Sequence, residues 1–554
     1  MDRPPFSARS PRPQAFAWWL PLCTAAIGVV IVLYQWLNVR PLWLDEEMIA
    51  LNLRDRSFPE LAGRLWLDQS APLGWLYLQR FILLVFGASE LSLRALPAAF
   101  GVATIGAALY VGRRWLTTAG GTVLVLLCSF ATWITFYALE LKSYSVDTFW
   151  GLMLPALAVS ATQASTDRAR RNAIALWVTA AAVAHWFSLG ALLVLPACCA
   201  VLAFAMRRRP EALRLLATGV AITMASVALH YVLSIRHAQS STSLQQFWQF
   251  AMLPPDAGIE DAPGWIVSHL KPFADKPGGS AYPIAFWLLA VIGFAVTPHR
   301  MLGLVSGLVV ASGFVFAVLR MVPLYERLSL WFVPALYLGI ALSLDRFVWL
   351  LRDPPLKRTA VFRVAAFAGG LAVLILCVDI VDRGVRDLRT NRPADSNRAT
   401  DDRAALAWLM KDRRPGDVLL TTRHALPAIW WYGGVSLAQS EGQQFPDGGR
   451  ILKLEYHDSR RVCQGRELEK SLHGRRRMLV YLGFLDMPAG FDDLLLEQMA
   501  RFGTVTAVGH FPGNSRAAIV DPSVPGGSNV FWEDAGKDGA RLEGCILADP
   551  AHAW

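Results

Sequence analysis

The chain has 554 residues, of which 54% are hydrophobic and only 17% charged, and its formal net charge is +10. Soluble proteins carry about 25% charged residues, so this composition argues against a wholly soluble protein. The positive charge does not indicate nucleic-acid binding, because the Lys and Arg residues stand mostly in short segments between apolar runs and no nucleic-acid motif occurs. We therefore expect no nucleic-acid partner.

The N-terminal part of the chain is a series of apolar runs, each close to the roughly 20 residues that a transmembrane helix needs. A further run, Ala71–Gly87, is shorter and is interrupted by Arg80, which predicts an interfacial or re-entrant helix. The sequence predicts a polytopic α-helical membrane domain over 1–383, with juxtamembrane helices in a first outer loop at 38–91. The eleven predicted spans lie near 15–37, 92–112, 119–138, 145–163, 172–187, 188–206, 213–235, 282–297, 301–319, 328–345 and 360–381.

The positive clusters give the orientation, because Lys and Arg collect on the cytoplasmic side of a membrane. If Ala71–Gly87 crossed, three clusters would lie outside; if it does not, every strong cluster lies inside. We therefore expect a multi-pass protein of the cytoplasmic (inner) membrane, with a cytoplasmic N-terminus and a periplasmic or extracellular C-terminal domain. The clusters are Arg113-Arg114, Arg168/Arg170/Arg171, Arg207-Arg208-Arg209 with Arg214, Arg300, and Arg346/Arg352/Lys357/Arg358.

Residues 384–554 have a mixed, polar composition and form the predicted C-terminal domain. "DRAALAWLMKDRRPGDVLLTT" has the pattern of a helix, a turn and a buried strand. "RRMLVYLG", "FDDLLLEQMARFG" and "RAAIVDP" continue as strand, helix and strand, so we predict a small α/β domain. The sequence leaves open whether Cys463 and Cys545 form a disulfide there.

Several polar residues are predicted to share the outer face of the membrane domain. Carboxylates at such a place can deprotonate a hydroxyl or hold a divalent cation, and cations can hold a phosphate. A transfer from a lipid-phosphate sugar needs both kinds of group. Each residue also has a plainer interpretation, such as a solvated acid, a surface ion pair, a snorkelling arginine or a packed histidine. The residues are Trp43, Asp45, Glu46, Glu47, Tyr137, Glu140, Lys142, Tyr144, His185, Tyr325 and Arg327.

The first outer loop resembles that of the GT-C superfamily of integral-membrane glycosyltransferases, in the branch of protein mannosyltransferases and aminoarabinose transferase. The resemblance lies in "LWLDEEMIA" followed by "SAPLGWLYLQRFILLVFGASELSLRALPAAFG". It implies that Asp45 is the catalytic aspartate and Glu46 the second acid of the pair. It also implies short juxtamembrane helices in this loop, in agreement with the charge pattern.

Three later motifs extend the resemblance over most of the chain. "YALELKSYSV" resembles the family's outer E-x-R-x-Y motif, except that Lys142 stands where arginine is usual and loses the bidentate fork. "HWFSLGALLVLP" resembles its histidine-containing turn, with His185 as the match. "PLYERLSLWFVPALYLGIA" resembles its late R-Y-L-x-x-x-x-P helix, with Arg327 and Pro334 as matches.

The resemblance implies transfer of a sugar, with inversion, from a polyprenyl-phosphate donor to a hydroxyl at the outer leaflet. The sequence does not identify the sugar. It also leaves open whether the acceptor is a glycan, a lipid or a protein. The implied roles are catalysis for Asp45 and Glu46, donor-phosphate binding for Lys142, Arg327 and His185, orientation or a Mg or Mn ion for Glu140 and Glu47, and substrate lining for Tyr144, Tyr137, Trp43 and Tyr325.

Two other classes of protein remain open. A transporter of lipid-linked glycans needs polar or broken helices near the bilayer midplane, whereas the predicted spans are almost uniformly apolar. A non-enzymatic envelope assembly protein would keep its function after Asp45→Asn. The long loop at 236–281 either covers the site or is a passive surface loop.

Overall fold

The computed structural model describes residues 18–239, 242–352, 360–390, 401–440, 442–456, 477–483, 503–512, 516–521 and 544–547. The α-helices are α1 (Trp19–Leu37), α2 (Leu44–Asp55), α3 (Phe58–Ala62), α4 (Leu73–Phe86), α5 (Glu90–Trp115), α6 (Thr118–Phe130), α7 (Thr132–Tyr137), α8 (Tyr144–Thr162), α9 (Asp167–Ala184), α10 (Leu189–Met206), α11 (Pro210–His230), α12 (Arg236–Gln239), α13 (Thr242–Phe247), α14 (Ala262–Asp275), α15 (Pro283–Val296), α16 (Arg300–Val318), α17 (Val333–Arg352), α18 (Ala360–Thr390), α19 (Asp402–Lys411), α20 (Leu426–Tyr432) and α21 (Leu437–Ser440). The strands are β1 (Val418–Thr422), β2 (Arg450–Tyr456), β3 (Met478–Leu482), β4 (Thr504–His510), β5 (Arg516–Asp521) and β6 (Gly544–Leu547).

The chain divides into two compact units. The first, called here the helical unit, comprises Met1–Asn38, Arg94–Ile235 and Thr242–Pro393. The second, called the outer-loop unit, comprises Val39–Leu93, Arg236–Ser241 and Ala394–Trp554. The first outer loop thus belongs to the same compact unit as the C-terminal segment. The predicted domain boundary between residues 383 and 384 stays a prediction.

Every predicted span contains a helix, and the chain is a multi-pass membrane protein. Among the described residues, seven helices are long and apolar enough to cross a membrane. The predicted number of eleven spans therefore stays a prediction. The seven are Trp19–Leu37, Glu90–Trp115, Leu189–Met206, Pro210–Gln239, Arg300–Val318, Val333–Arg352 and Val361–Arg389.

Helix α17 lies at the centre of the helical unit. It packs on α6, α8, α15, α16 and α18, and each of its residues from Val333 to Ser343 is buried. The α15–α17 crossing is close, because the carbonyl oxygen of Gly339 occupies the place that a Cβ would take at Gly293. Small residues at such crossings let helix backbones approach, which strengthens packing where lipid supplies no hydrophobic driving force.

The predicted run at 119–138 is two helices rather than one. Helix α6 ends at Phe130, Ala131 is extended, and α7 begins at Thr132. At this break Gly384 of α18 lies against the Phe130 carbonyl, where a side chain would collide. The break between α6 and α7 therefore coincides with a close contact to α18. The pattern of apolar residues in the sequence does not predict this contact.

The run Ala71–Gly87 forms α4, a helix of 14 residues that starts after Pro72. A helix of this length rises about 21 Å, which is short of the roughly 30 Å hydrocarbon core of a bilayer. It ends at Gly87, whose φ of +82° is a conformation that favours glycine at a helix C-terminus. The interfacial position of this helix stays a prediction.

A six-stranded sheet in the order β4-β5-β3-β1-β2-β6 forms the core of the C-terminal segment. Strands β3, β1 and β2 are parallel, whereas β5, β4 and β6 pair antiparallel at the edges. Strands β1 and β3 are buried along their whole length, as central parallel strands are. The predicted α/β fold is confirmed. Residues 491–502 of the predicted helix at 491–503 lie outside the described residues, and so does Cys463. The helix stays a prediction, and the pairing of Cys463 with Cys545 stays open.

Asp345 of α17 supports the N-terminal turn of α6 and generates a prediction. Its carboxylate accepts hydrogen bonds from the Thr117 N–H (2.8 Å), the Thr117 hydroxyl (2.5 Å) and the Gly120 N–H (3.1 Å). Asp345→Ala removes the acceptor of these three hydrogen bonds, one of them from the buried Gly120 N–H, so we expect the free energy of unfolding in detergent to fall by about 2–4 kcal/mol.

The matched control is Asp382→Ala on α18, because Asp382 is 62% exposed and pairs with Arg386 at the surface. Its effect should stay below about 1 kcal/mol. Equal losses in the two variants, measured by denaturant titration, would contradict the proposed support of α6.

Candidate active site

Three adjacent carboxylates occupy the first turn of α2. The helix begins at Leu44, so Asp45, Glu46 and Glu47 lie at its N-terminal end. Negative charge is stabilised there by the helix dipole and by backbone N–H groups that lack helical partners. The Glu46 carboxylate accepts a hydrogen bond from the Trp43 N–H at 3.0 Å, which closes the start of the helix.

The three side chains have different surroundings, because successive residues of a helix point about 100° apart. Glu46 and Glu47 are buried, with 0% and 1% of their surface exposed, whereas Asp45 is half-buried. Asp45 is thus the acid of the three that keeps contact with solvent in this arrangement. A base that takes a proton from a substrate needs such access.

Glu47 is buried inside the outer-loop unit, next to Asp402 at the start of α19. Neither oxygen of its carboxyl group has a hydrogen-bond partner among the described residues. Burial raises the pKa of Glu47 well above its ordinary value, and the negative charges of Asp402 and Glu46 raise this pKa further. The Tyr481 hydroxyl donates to Asp402 at 2.6 Å. Burial in this place therefore favours the protonated form of Glu47 over the ionised form.

The helical unit brings together a cation and several aromatic side chains. The Nε of Arg327 donates a hydrogen bond to the Tyr144 hydroxyl at 3.1 Å, and its guanidinium carbon lies 5.8 Å from the centre of the Trp248 ring. Trp248 in turn contacts Tyr325, with 5.5 Å between ring centres. Two of the predicted site residues, Tyr144 for substrate lining and Arg327 for phosphate binding, are thus in direct contact.

The segment between α7 and α8 carries the motif residues around this cation. Glu140 is buried, and its carbonyl accepts the Lys142 N–H at 2.6 Å, whereas the Lys142 side chain is half-exposed. The Tyr137 and Tyr144 rings meet edge to face at 5.3 Å. These ring contacts hold the two ends of the segment together.

His185 lies in a second cluster of the helical unit, in which His185 and His230 are fully buried. One of its ring nitrogens is 3.1 Å from Nδ1 of His230, and the other is 3.0 Å from the Ser226 hydroxyl. Trp186 also donates to Ser226 at 2.9 Å and stacks on His230 at 4.5 Å. Both ring nitrogens of His185 are therefore engaged inside the protein.

The sequence prediction included neither His230 nor Trp248. His230 is a single histidine in the last turn of α11, and Trp248 stands in the long loop at 236–281, inside "QQFWQF". Neighbouring residues in the sequence do not mark either position as part of a site. His230 contacts His185, and Trp248 contacts Arg327 and Tyr325, and these partners are distant in the chain.

The part of the chain that the structure describes holds no group of three or more His, Cys, Asp or Glu side chains arranged for a metal ion. The prediction that Glu140 and Glu47 either orient the site or bind a Mg or Mn ion stays a prediction. The raised pKa of Glu47 disfavours its ionised form, which is the form that binds a hard cation.

The fold is similar to that of solved membrane proteins. ArnT from Cupriavidus metallidurans in the apo state matches with a TM-score of 0.53 and 15% identity, over 93% of this chain and 100% of that chain. ArnT from the same organism bound to undecaprenyl phosphate matches with a TM-score of 0.52 and 14% identity, over 91% and 98%. Arabinofuranosyltransferase AftD from Mycobacteria matches with a TM-score of 0.45 and 14% identity, over 91% and 40%.

No protein-family model matches the chain, and no curated protein does. The match to ArnT covers nearly the whole of both chains. The protein therefore has the GT-C fold, and the predicted fold class is confirmed. At this level of identity the match describes the fold, and activity is taken up below.

The raised pKa of Glu47 predicts how stability depends on pH. Above about 4.5, its ordinary pKa, the unfolded chain binds less of this proton than the folded chain does. The free energy of unfolding therefore falls as pH rises towards the raised pKa of the folded state. Glu47→Gln has no such proton to lose, so the stability of the variant relative to wild type should increase as pH rises from 5 towards that raised pKa.

The control is Glu60→Gln in α3, because a hydrogen bond from Ser57 lowers the pKa of Glu60. The stability that Glu60 contributes is complete above its ordinary pKa and is lost only as pH falls below it. Between pH 5 and pH 8 this variant should run parallel to wild type. A parallel profile for Glu47→Gln as well, in denaturant titrations at each pH, would show that Glu47 is ionised in the fold.

Proposed function

We propose that the protein is a GT-C glycosyltransferase that transfers a sugar from a polyprenyl-phosphate donor to a hydroxyl acceptor, with inversion. The observation that carries the proposal is the fold match to ArnT, over nearly the whole of both chains, which includes a structure bound to undecaprenyl phosphate. We place the reaction at the outer leaflet of the inner membrane, with the N-terminus in the cytoplasm and 384–554 outside.

Asp45 acts as the general base in this proposal. Its carboxylate takes the proton of the acceptor hydroxyl while the hydroxyl oxygen bonds to the anomeric carbon from the face opposite the phosphate. The bond from the anomeric carbon to the phosphate oxygen breaks, and its electron pair leaves with polyprenyl phosphate. A phosphate is already a stable anion, so no general acid is needed. The half-buried position of Asp45 supports this role.

Arg327 and Lys142 stabilise the negative charge of the leaving phosphate. The hydrogen bond from Arg327 to Tyr144 orients the guanidinium plane, and an oriented fork suits the tetrahedral oxygens of a phosphate. Lys142 adds a flexible charge from the preceding segment. For His185 to bind the phosphate as well, it must exchange its hydrogen bond to His230 or to Ser226.

The remaining site residues support these two groups. Glu46 orients the start of α2 through its bond to Trp43, and Glu140 is buried beside Lys142. We assign Trp43, Tyr137, Tyr144 and Tyr325 to the lining of the sugar site. No step requires a metal ion, and a chelator tests whether a divalent cation contributes.

Asp45→Asn should lower kcat by about 10²–10⁴-fold, because the amide cannot accept the acceptor proton. Binding of polyprenyl phosphate should change less than about twofold, since Asp45 does not contact the leaving group in this mechanism. The measurement is release of radiolabelled sugar from a panel of polyprenyl-phosphate sugars by purified protein, with and without a chelator.

Asp68→Asn is the matched control in the same loop, because Asp68 pairs with the exposed Arg64. Wild-type turnover that persists in Asp45→Asn would reject Asp45 as the base. Absence of both turnover and carrier-lipid binding across the panel would favour the assembly-protein interpretation.

Arg327→Gln should weaken binding of polyprenyl phosphate by about 10–100-fold, the equivalent of one lost charge-assisted hydrogen bond. Arg327→Lys should recover part of this loss, since it keeps the charge without the fork. Direct binding to the carrier lipid in detergent gives the measurement, with Arg386→Gln as the control because Arg386 is 63% exposed on α18. Equal affinity of Arg327→Gln and wild type would remove Arg327 from the donor site.

A further inference from the structure

We infer that the C-terminal domain positions the helix that carries Asp45, and that Arg54 is a positioning residue of the enzyme. The inference rests on the proposed function, because it gives Asp45 a role in the reaction. It concerns the outer-loop unit alone, in which the first outer loop and the C-terminal segment belong to one compact body.

The C-terminal end of α2 is held by Arg54. Its guanidinium donates to the carbonyl oxygens of Trp430 at 3.1 Å and Val435 at 2.6 Å, and it lies 5.4 Å from the centre of the Trp431 ring. These carbonyls belong to the end of α20 and the turn after it, where the helix dipole favours a cation. A single side chain of the loop thus binds the end of a helix more than 370 positions later.

Asp55 completes this contact from the next position of the chain. Both of its oxygens accept from Arg54, at 2.7 and 2.9 Å, and one of them is 3.3 Å from the Leu437 N–H at the start of α21. The Asp55 side chain is 8% exposed and that of Arg54 is 20% exposed. A pair this enclosed, with each charge also hydrogen-bonded, is not a loose surface ion pair.

The N-terminal end of α2 is held by the same helix of the C-terminal domain. The Tyr432 hydroxyl accepts the Leu42 N–H at 2.8 Å, two residues before α2 begins, and it donates to Glu90 at 3.2 Å. Arg403 donates to the Val39 carbonyl at 3.1 Å and pairs with Glu90 at 3.3 Å. Helix α20 therefore contacts the chain on both sides of Asp45.

Contacts at both ends restrict the position and the tilt of α2 together. Between them, Leu51 is fully buried in the same hydrophobic core as Leu406, Ile429 and Trp430. A displacement of a reacting group by about 1 Å can cost about 100-fold in rate. A helix of 12 residues has little stability of its own in water, so its geometry depends on this support.

The test compares Arg54→Gln, Arg54→Lys and the control Arg64→Gln in the full-length protein in detergent. Arg64 is the matched control because it lies in the same loop, is 66% exposed and pairs with Asp68 alone among the described acidic residues. Two readouts are taken from each variant. One is kcat and the donor KM; the other is amide hydrogen exchange of 44–55 and of strands β1 and β3.

We expect Arg54→Gln to lower kcat by about 10–100-fold with a change in donor KM of less than about twofold. Exchange should become faster in 44–55 and stay unchanged in β1 and β3. Arg54→Lys should recover part of kcat, and Arg64→Gln should match wild type. Tyr432→Phe removes the hydroxyl at the other end of α2, so it should also lower kcat and speed up exchange in 44–55. This variant replaces Arg54→Gln in the test if Arg54→Gln fails to fold.

Unchanged kcat and unchanged exchange at 44–55 would overturn the inference. Faster exchange in β1 and β3 to the same degree as in 44–55 would also overturn it, because Arg54 would then only stabilise the domain. If the wild type turns over no donor, the proposed function fails, whereas the exchange measurements still decide whether Arg54 holds α2.

Discussion

Mutual repulsion of three adjacent carboxylates is the constraint around which the outer-loop unit is built. The fold meets it with three separate devices. The N-terminal turn of α2 places all three acids at the positive end of a helix dipole. Glu46 takes a backbone N–H as its partner. Burial and the neighbouring acids raise the pKa of Glu47, which disfavours a third negative charge at this place.

The helical unit holds a cation at a defined position. Arg327 donates a hydrogen bond to the Tyr144 hydroxyl and lies beside the face of the Trp248 ring. Arg54 in the outer-loop unit is paired with Asp55 at 2.7 Å and donates to the carbonyls of α20 and the turn after it. The contacts of Arg54 thus join two segments of the fold, which is what a positioning residue requires.

Much of the fold is predictable because its signals are local. Every predicted apolar run contains a helix, and strands β1, β3 and β5 lie where short buried runs stand between turn residues. The break at Ala131, the contact between His185 and His230 and the contact of Arg54 with α20 were not predictable. Each depends on a partner distant in the chain, such as Gly384 for the first and Val435 for the last. A single sequence carries no record of such pairs.

The site, like the fold, was predictable only in part. The order of the motifs predicts Asp45, Tyr144 and Arg327 as site residues, whereas the different roles of adjacent acids become visible only in the structure. Asp45, Glu46 and Glu47 are alike in sequence but differ in burial and partners, since a helix turns each to another side. The half-buried Asp45 suits proton transfer, Glu46 suits support of the helix start, and Glu47 suits contact with the C-terminal domain. If α2 were rotated by one residue, Asp45 could take the buried place of Leu44 and Glu46 the half-buried place of Asp45. The contacts at both ends of α2 therefore bear directly on which acid meets the substrate.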